Sequence, residues 1–195
     1  MNWIESLEKL VGKEIVFTNP EILSNYASDY TEDITCLPQV VVTPNSTSDI
    51  SKVLAFCNDH KIPVTPRGAG TGLSGGSIPV NGGVSLSMEK FDRIIAIDEE
   101  NFQATVESGV INDHFQTAVK ERGLFYPPDP ASKGSCFLGG NIAHSSGGPK
   151  ALKYGTTKDY VLNLEVVLPD GKIIWTGSDT LKNSTGYNLT QLFLG

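Results

Sequence analysis

The sequence predicts an α+β fold with mixed sheets and flanking helices, not a doubly wound parallel sheet. Helical and strand patterns are interleaved along the chain, and several neighbouring strands are joined as hairpins. At 195 residues, with 39% apolar and 19% charged side chains, the chain can bury a sizeable core without disulfide staples and is too apolar to be disordered.

Each element has its own signal. Trp3, Ile4, Leu7, Leu10 and Val11 fall at helical spacing. Asn19-Pro20-Glu21 marks a helix start, with Pro suited to the first turn, and opens a helix over Ile22 to Tyr26. Val40-Val41-Val42 is β-branched and stops at Pro44, so it reads as a short strand. Ser46 to Asp49 has capping-box spacing, with Asp in place of Glu, ahead of a helix carrying Ile50, Val53, Leu54 and Cys57. Pro63-Val64-Thr65 is a further strand. The pattern then turns to β at Val84 to Met88, Ile94 to Ile97 and Gln103 to Val106, before a helix over Asn112 to Glu121 with Phe115, Ala118 and Val119. The stretch from Gly123 to Gly155 reads as loop-rich. Leu162 to Leu168 and Ile173 to Thr176 pair across the turn Pro169-Asp170-Gly171-Lys172. Leu189 to Leu194 begins a last helix.

The net charge of −7 argues against a nucleic-acid partner, which needs clustered Lys and Arg. It leaves room for a phosphate-bearing cofactor held by main-chain N–H groups. Cys36, Cys57 and Cys136 fit neither a metal pattern nor a closed disulfide framework, so no metal site is expected and a reduced, cytoplasmic protein is. Neither a signal peptide nor an integral membrane segment is expected from the apolar pattern.

Pro66-Arg67-Gly68-Ala69-Gly70-Thr71-Gly72-Leu73-Ser74-Gly75-Gly76 is the first glycine-rich loop. Gly70 to Gly75 fits G-x-G-x-x-G, but that fingerprint needs a helix directly after it. Here Ser77-Ile78-Pro79-Val80-Asn81-Gly82-Gly83 follows, which cannot be helical. No Gly-Lys-Ser/Thr follows either, so this is no Walker loop. An extended turn whose successive N–H groups line one concavity, an anion nest, survives. Thr71 and Ser74 add hydroxyls. A ligand-free glycine hairpin is the plain alternative.

The second segment is Tyr126-Pro127-Pro128-Asp129-Pro130, Gly134-Ser135-Cys136-Phe137-Leu138-Gly139-Gly140-Asn141-Ile142-Ala143, Gly147-Gly148 and Lys153-Tyr154-Gly155, closed by Lys182-Asn183-Ser184-Thr185-Gly186-Tyr187-Asn188-Leu189. With the first loop, these motifs resemble in order the FAD-linked oxidases of the vanillyl-alcohol oxidase/PCMH type. Within that family they are most similar to the group of glycolate oxidase flavoprotein subunits, D-lactate dehydrogenases and D-2-hydroxyglutarate dehydrogenases.

The resemblance implies a two-lobed PCMH-type FAD-binding domain with FAD extended between the lobes. It divides the chain into an N-terminal helical segment at 1–38 and an FAD-binding domain at 39–195, with a smaller lobe at about 39–97 and a larger one at about 98–195. By carry-over, Pro66, Arg67, Gly68, Ala69, Gly70, Thr71, Gly72, Leu73, Ser74 and Gly75 would wrap the pyrophosphate. Pro128, Asp129, Cys136, Gly139, Gly140, Asn141 and Ala143 would line the ribose and flavin, and Ser146, Gly147 and Gly155 would complete the pocket. The first loop lacks the histidine through which some relatives attach the flavin, so FAD is expected to be non-covalent. His144-Ser145-Ser146 stands where relatives often carry Thr-Asn-Ala. His144 could approach the flavin or serve the fold. Relatives continue with a Ser-Glu-Gly-Thr-Leu-Gly segment and a substrate domain, both beyond this chain.

Family members oxidise a 2-hydroxy acid, which needs a carboxylate clamp, usually Arg, and a base, often His. Arg67 belongs to the cofactor loop. Arg93, Arg122, His60 and His114 read as surface or capping residues, and Asp29, Glu32 and Asp33 as a solvated acidic face. Asp98, Glu99 and Glu100 lie in a hairpin turn. No catalytic residue is assigned. The reading is the FAD domain of a dehydrogenase or oxidase acting on glycolate, D-lactate or D-2-hydroxyglutarate. The alternative is a flavin-binding module without turnover of its own. The electron acceptor is unassigned, and a homo-oligomer is left open.

Overall fold

The computed structural model describes residues 2–182 and 184–195, so Asn183 of the closing motif lies outside the described residues. The chain divides into two compact units. One runs to Phe91 and includes Val167–Ile174. The other comprises Asp92–Val166 and Trp175–Gly195.

The first unit opens with α1 (Trp3–Val11), capped by the Asn2 side chain accepting from Ile4 N–H. A 3-10 turn (Lys13–Ile15) leads into β1 (Val16–Phe17). Asn19 caps α2 (Pro20–Asn25), with Pro20 in the first turn as its missing N–H allows. Strand β2 (Val40–Val42), helix α3 (Thr47–His60), β3 (Val64–Arg67) and β4 (Val84–Ser87) follow. Ser46 caps α3 through its hydroxyl. The Asp49 carboxylate reaches Asn45 N–H at 3.2 Å rather than closing a capping box on Ser46; its stem is one carbon shorter than that of the usual Glu.

The four strands form a mixed sheet in the order β1-β2-β4-β3. β1 runs antiparallel to β2, while β4 is parallel to both β2 and β3. Val40 sits opposite Val84 and Val42 opposite Leu86. Both central strands are buried along their whole length, which explains the unbroken Val40-Val41-Val42 run. Leu7 of α1, Val53 and Cys57 of α3, Ile15 and Val16 join Val40, Val42, Val84 and Leu86 in one core.

The second unit begins with the antiparallel hairpin of β5 (Ile94–Asp98) and β6 (Gln103–Val106), irregular between Ile94 and Ala96. Helix α4 (Asn112–Glu121) turns Phe115 and Val119, one turn apart, onto Val110 and Leu138. Two short helices follow, α5 (Leu138–His144) and α6 (Ala151–Tyr154). The Gly123–Gly155 stretch is therefore not loop throughout. Two consecutive glycines weaken a helix by about 1 kcal/mol each but do not forbid it. Gly139 is fixed by tertiary contact: its N–H donates to Ser108 O at 2.7 Å, and a Cβ there would lie 2.8 Å from the Ser108 Cβ.

A 3-10 turn (Thr157–Tyr160) precedes β7 (Glu165–Val167), which is joined to β8 (Ile173–Trp175) by the expected turn. Gly171 takes φ +83° there and accepts from the Ser51 hydroxyl of α3 at 2.6 Å. Helix α7 (Leu189–Leu192) is shorter than the sequence pattern suggests. The α+β class with mixed sheets holds. Among the described residues no helix is long and apolar enough to cross a membrane, and no cluster suited to a metal ion occurs.

Candidate functional site: two glycine-rich segments

In the first unit, β3 carries Pro66 and Arg67, and the loop proper begins at Gly68. The segment from Gly68 to Gly83 holds no helix. Gly70 and Gly75 have φ of +69° and +70°, where L side chains are strained. Among the described residues, nothing accepts a hydrogen bond from the main-chain N–H groups of residues 68 to 74. Leu73 is 76% exposed, so its part of the loop lies open. Among the described residues, a Cβ on Gly72 would meet nothing closer than Asp29 Oδ2 at 3.9 Å.

Free N–H donors on a glycine frame fit an anion approaching the main chain. The Arg67 guanidinium does not supply the charge. Its side chain is buried, donating to the carbonyls of Ser28 at 2.8 Å and of Asn25 and Ser77 at 3.3 Å, and lies 5.4 Å from the Tyr26 ring centre. Burial holds its pKa below the usual value for arginine.

Asp29 is not simply part of a solvated acidic face. Its carboxylate accepts from Thr31 N–H at 2.8 Å and from the Ser77 hydroxyl at 2.9 Å. Burial pushes this carboxyl up, but the Thr31 and Ser77 hydrogen bonds prevail and hold it below the usual carboxylate range. Thr31 in turn accepts from Gly75 N–H at 2.6 Å. Sequence reading missed Thr31. The spacing Asp29-Tyr30-Thr31, which suits a side chain bonding the backbone two residues on, was the available signal.

In the second unit, a polar lattice organises the other glycine segment. Pro128 O accepts from Gln116 Nε2 at 2.8 Å and from Asn112 Nδ2 at 3.3 Å. Asn112 Oδ1 accepts from Asn141 Nδ2 at 3.1 Å, with both asparagines buried. Asp129 N–H donates to Gly147 O. The Asp129 carboxylate is paired with Lys133 and Lys150 at 3.0 and 3.1 Å. These lysines, Lys133 foremost, hold it below the usual carboxylate range. Ser146 O accepts from both the hydroxyl and the N–H of Thr157.

Gly148 has φ +116°, and a Cβ there would overlap the Asp129 carbonyl. Gly155 has φ +82°, and its Cβ would overlap the Asp159 carboxylate. Gly140 differs, with nothing within 4 Å of an added Cβ. Of the expected site residues here, Cys136 and Asn141 turn their side chains into the core of the unit, whereas Gly140, Ala143 and Ser146 keep some exposure. His144 is exposed at the end of α5.

The three arginines are all engaged. Arg67 is buried as above, Arg93 pairs with Glu107 at 2.7 Å, and Arg122 pairs with Glu99 at 3.2 Å. His60 stacks on Phe56 and contacts its carbonyl at 2.9 Å.

A family described as FAD binding domain matches residues 38–177. The glycolate oxidase subunit GlcD of Bacillus subtilis (strain 168) is 48% identical over 170 residues, covering 87% of this chain and 36% of that protein. A D-lactate dehydrogenase of Anaerostipes hadrus is 43% identical over 98% of this chain and 41% of its own length. A D-2-hydroxyglutarate dehydrogenase of Stutzerimonas stutzeri (strain A1501) is 35% identical over 98% of this chain and 41% of its own length. Among solved structures, substrate-bound p-cresol methylhydroxylase superposes with a TM-score of 0.83 at 27% identity, covering 98% of this chain and 40% of that one. The chain thus spans between 36% and 41% of the length of these relatives.

Proposed function

This chain belongs to the FAD binding domain family, and we propose that it is the cofactor-holding part of a flavin-dependent oxidoreductase acting on a 2-hydroxy acid of the glycolate, D-lactate or D-2-hydroxyglutarate type. The observation that carries the cofactor role is the row of N–H groups at residues 68 to 74 that have no partner among the described residues, on a glycine frame with room for an anion. The substrate class rests on the activities for which the relatives are named.

In this reading residues 66 to 75 hold the diphosphate in the first unit. Only the main chain and the Thr71 and Ser74 hydroxyls reach it, because the Arg67 side chain is committed elsewhere. Pro128, Asp129, Cys136, Gly139, Gly140, Asn141, Ala143, Ser146, Gly147 and Gly155 serve the ribose and flavin in the second unit. Cys136 and Asn141 do so by shaping the pocket from behind, since both residues are buried and their main-chain groups are already bonded within the chain. FAD supplies the two-electron acceptor for the α-hydrogen of the hydroxy acid. The chain binds and orients it non-covalently, since residues 66–76 contain no histidine.

The arginine pairs favour a division of labour. With every guanidinium already bonded, the clamp for the substrate carboxylate comes from other polypeptide, and this chain alone holds flavin without turning over. The test is to load the chain with FAD and add glycolate, D-lactate and D-2-hydroxyglutarate anaerobically. Flavin absorption should stay unchanged with this chain and bleach when the same chain is extended to the length of its relatives. Extended protein that holds FAD but bleaches with none of the three acids would overturn the substrate class.

A further inference from the structure

We propose that Thr31, Asp29 and Arg67 are positioning residues that hold the Gly68–Gly76 loop in its diphosphate-binding form before any ligand arrives. The proposal rests on the reading of that loop as the diphosphate cradle. A segment with glycine at 68, 70, 72, 75 and 76 has many accessible backbone states, and a ligand that had to order it would bind correspondingly weakly.

The chain from Asn25 to Thr31 meets this loop at its entry, middle and exit. At the entry, the Arg67 fork ties the end of β3 to the carbonyls of Asn25 and Ser28. In the middle, Tyr30 N–H donates to Gly72 O at 3.1 Å. At the exit, Gly75 N–H donates to Thr31 Oγ1, while the Ser77 hydroxyl donates to Asp29 Oδ2 and Ser77 O accepts from Arg67.

These bonds also sort the loop's donors. Thr31 takes the Gly75 N–H, and the N–H groups of residues 68 to 74 are left for a ligand. Asp29 would otherwise be out of place, because a carboxylate beside an anion cradle repels the anion. Its oxygens are turned onto Thr31 N–H and the Ser77 hydroxyl, and its charge is felt by the buried Arg67 guanidinium. The carboxylate thereby serves as an internal fastener. Gly70 fits the same assembly: a Cβ there would lie 2.5 Å from Arg67 Nη2, so the guanidinium fills the space beneath the loop.

The test compares Thr31→Val, which keeps the shape and removes the acceptor, with Thr31→Ser, which keeps the hydroxyl. Stopped-flow flavin fluorescence gives association and dissociation rates for FAD. Losing one such hydrogen bond should weaken FAD affinity about tenfold in Thr31→Val. The loss should fall on the association rate, because fewer molecules hold the competent loop, with dissociation little changed. Thr31→Ser should restore both rates. Exchange of the Gly75 amide in the apoprotein should quicken in Thr31→Val alone, with no change in melting temperature beyond a few degrees. If Thr31→Val proves poorly folded, Ser77→Ala carries the same test from the exit, with the same expected loss of association rate.

Wild-type rates in a folded Thr31→Val or Ser77→Ala protein would overturn the proposal, as would a loss confined to dissociation. Failure of the wild-type chain to take up FAD would overturn the reading of the loop itself.

Discussion

Gly140 and Gly148 stand eight residues apart in one glycine-rich segment, yet substituting them should have opposite effects. At Gly148, alanine would meet the Asp129 carbonyl at φ +116°, so Gly148→Ala should destabilise the protein by about 1–3 kcal/mol in chemical unfolding. Gly140 lies inside α5 with open space where a Cβ would go. Gly140→Ala should therefore raise apoprotein stability by about 0.5–1 kcal/mol. If that space belongs to the cofactor, the same variant should bind FAD more weakly. Stabilisation with unchanged FAD affinity would remove Gly140 from the site. Asp129 adds a pH dependence. Its pKa in the folded state lies below its ordinary 3.8, so its contribution is present above that pH and is lost as pH falls through the lower, folded value. Asp129→Asn should accordingly lower the denaturant midpoint at pH 7, and the deficit should shrink as pH falls below 3.8. A deficit that does not change below pH 3.8 would contradict the lysine pairing. At this scale the caps at Asn19 and Ser46 were legible, because their partners sit two or three residues away. The roles of Asp29 and Thr31 were not, since Ser77 and Gly75 lie 48 and 44 residues along the chain.

The elements were read from periodicity where a single face is buried. Helices α1, α3 and α4 and strands β5 and β6 lie where the apolar pattern puts them, while β2, buried along its whole length, lies where an unbroken β-branched run puts it. The short helices α5 and α6 were not separately read within the loop-rich stretch, where composition spoke for loop and tertiary packing chose helix. Gly139 against Ser108 is the contact that local pattern could not reveal. Conversely, the absence of a helix after Gly76 was legible, because Ile78-Pro79-Val80-Asn81-Gly82-Gly83 excludes one. The N-terminal helix is part of the first unit's core through Leu7, which is fully buried. Leu7→Ala should cost about 2–5 kcal/mol in chemical unfolding, as for a large-to-small change in a packed core. A cost near zero would mean that α1 is dispensable to that core.

For the whole molecule, the family and cofactor were legible because several motifs recur in order at the right spacing, and the family match over residues 38–177 bears this out. The set of site contacts is less legible from sequence, because burial decides which atoms face a ligand. Arg67, Cys136 and Asn141 all carry side chains that the fold turns inward. If the main chain of one loop is the diphosphate cradle, Gly72 is where this is tested most directly. Gly72 avoids the left-handed backbone and, among the described residues, has nothing closer to an added Cβ than Asp29 Oδ2 at 3.9 Å. A valine there should fold and fill the space meant for the ligand. Titration of wild-type and Gly72→Val protein with FAD, followed by flavin absorption after gel filtration, should show yellow wild-type protein and a colourless variant with an unchanged melting temperature. A folded Gly72→Val protein that keeps FAD as tightly as the wild type would contradict the account.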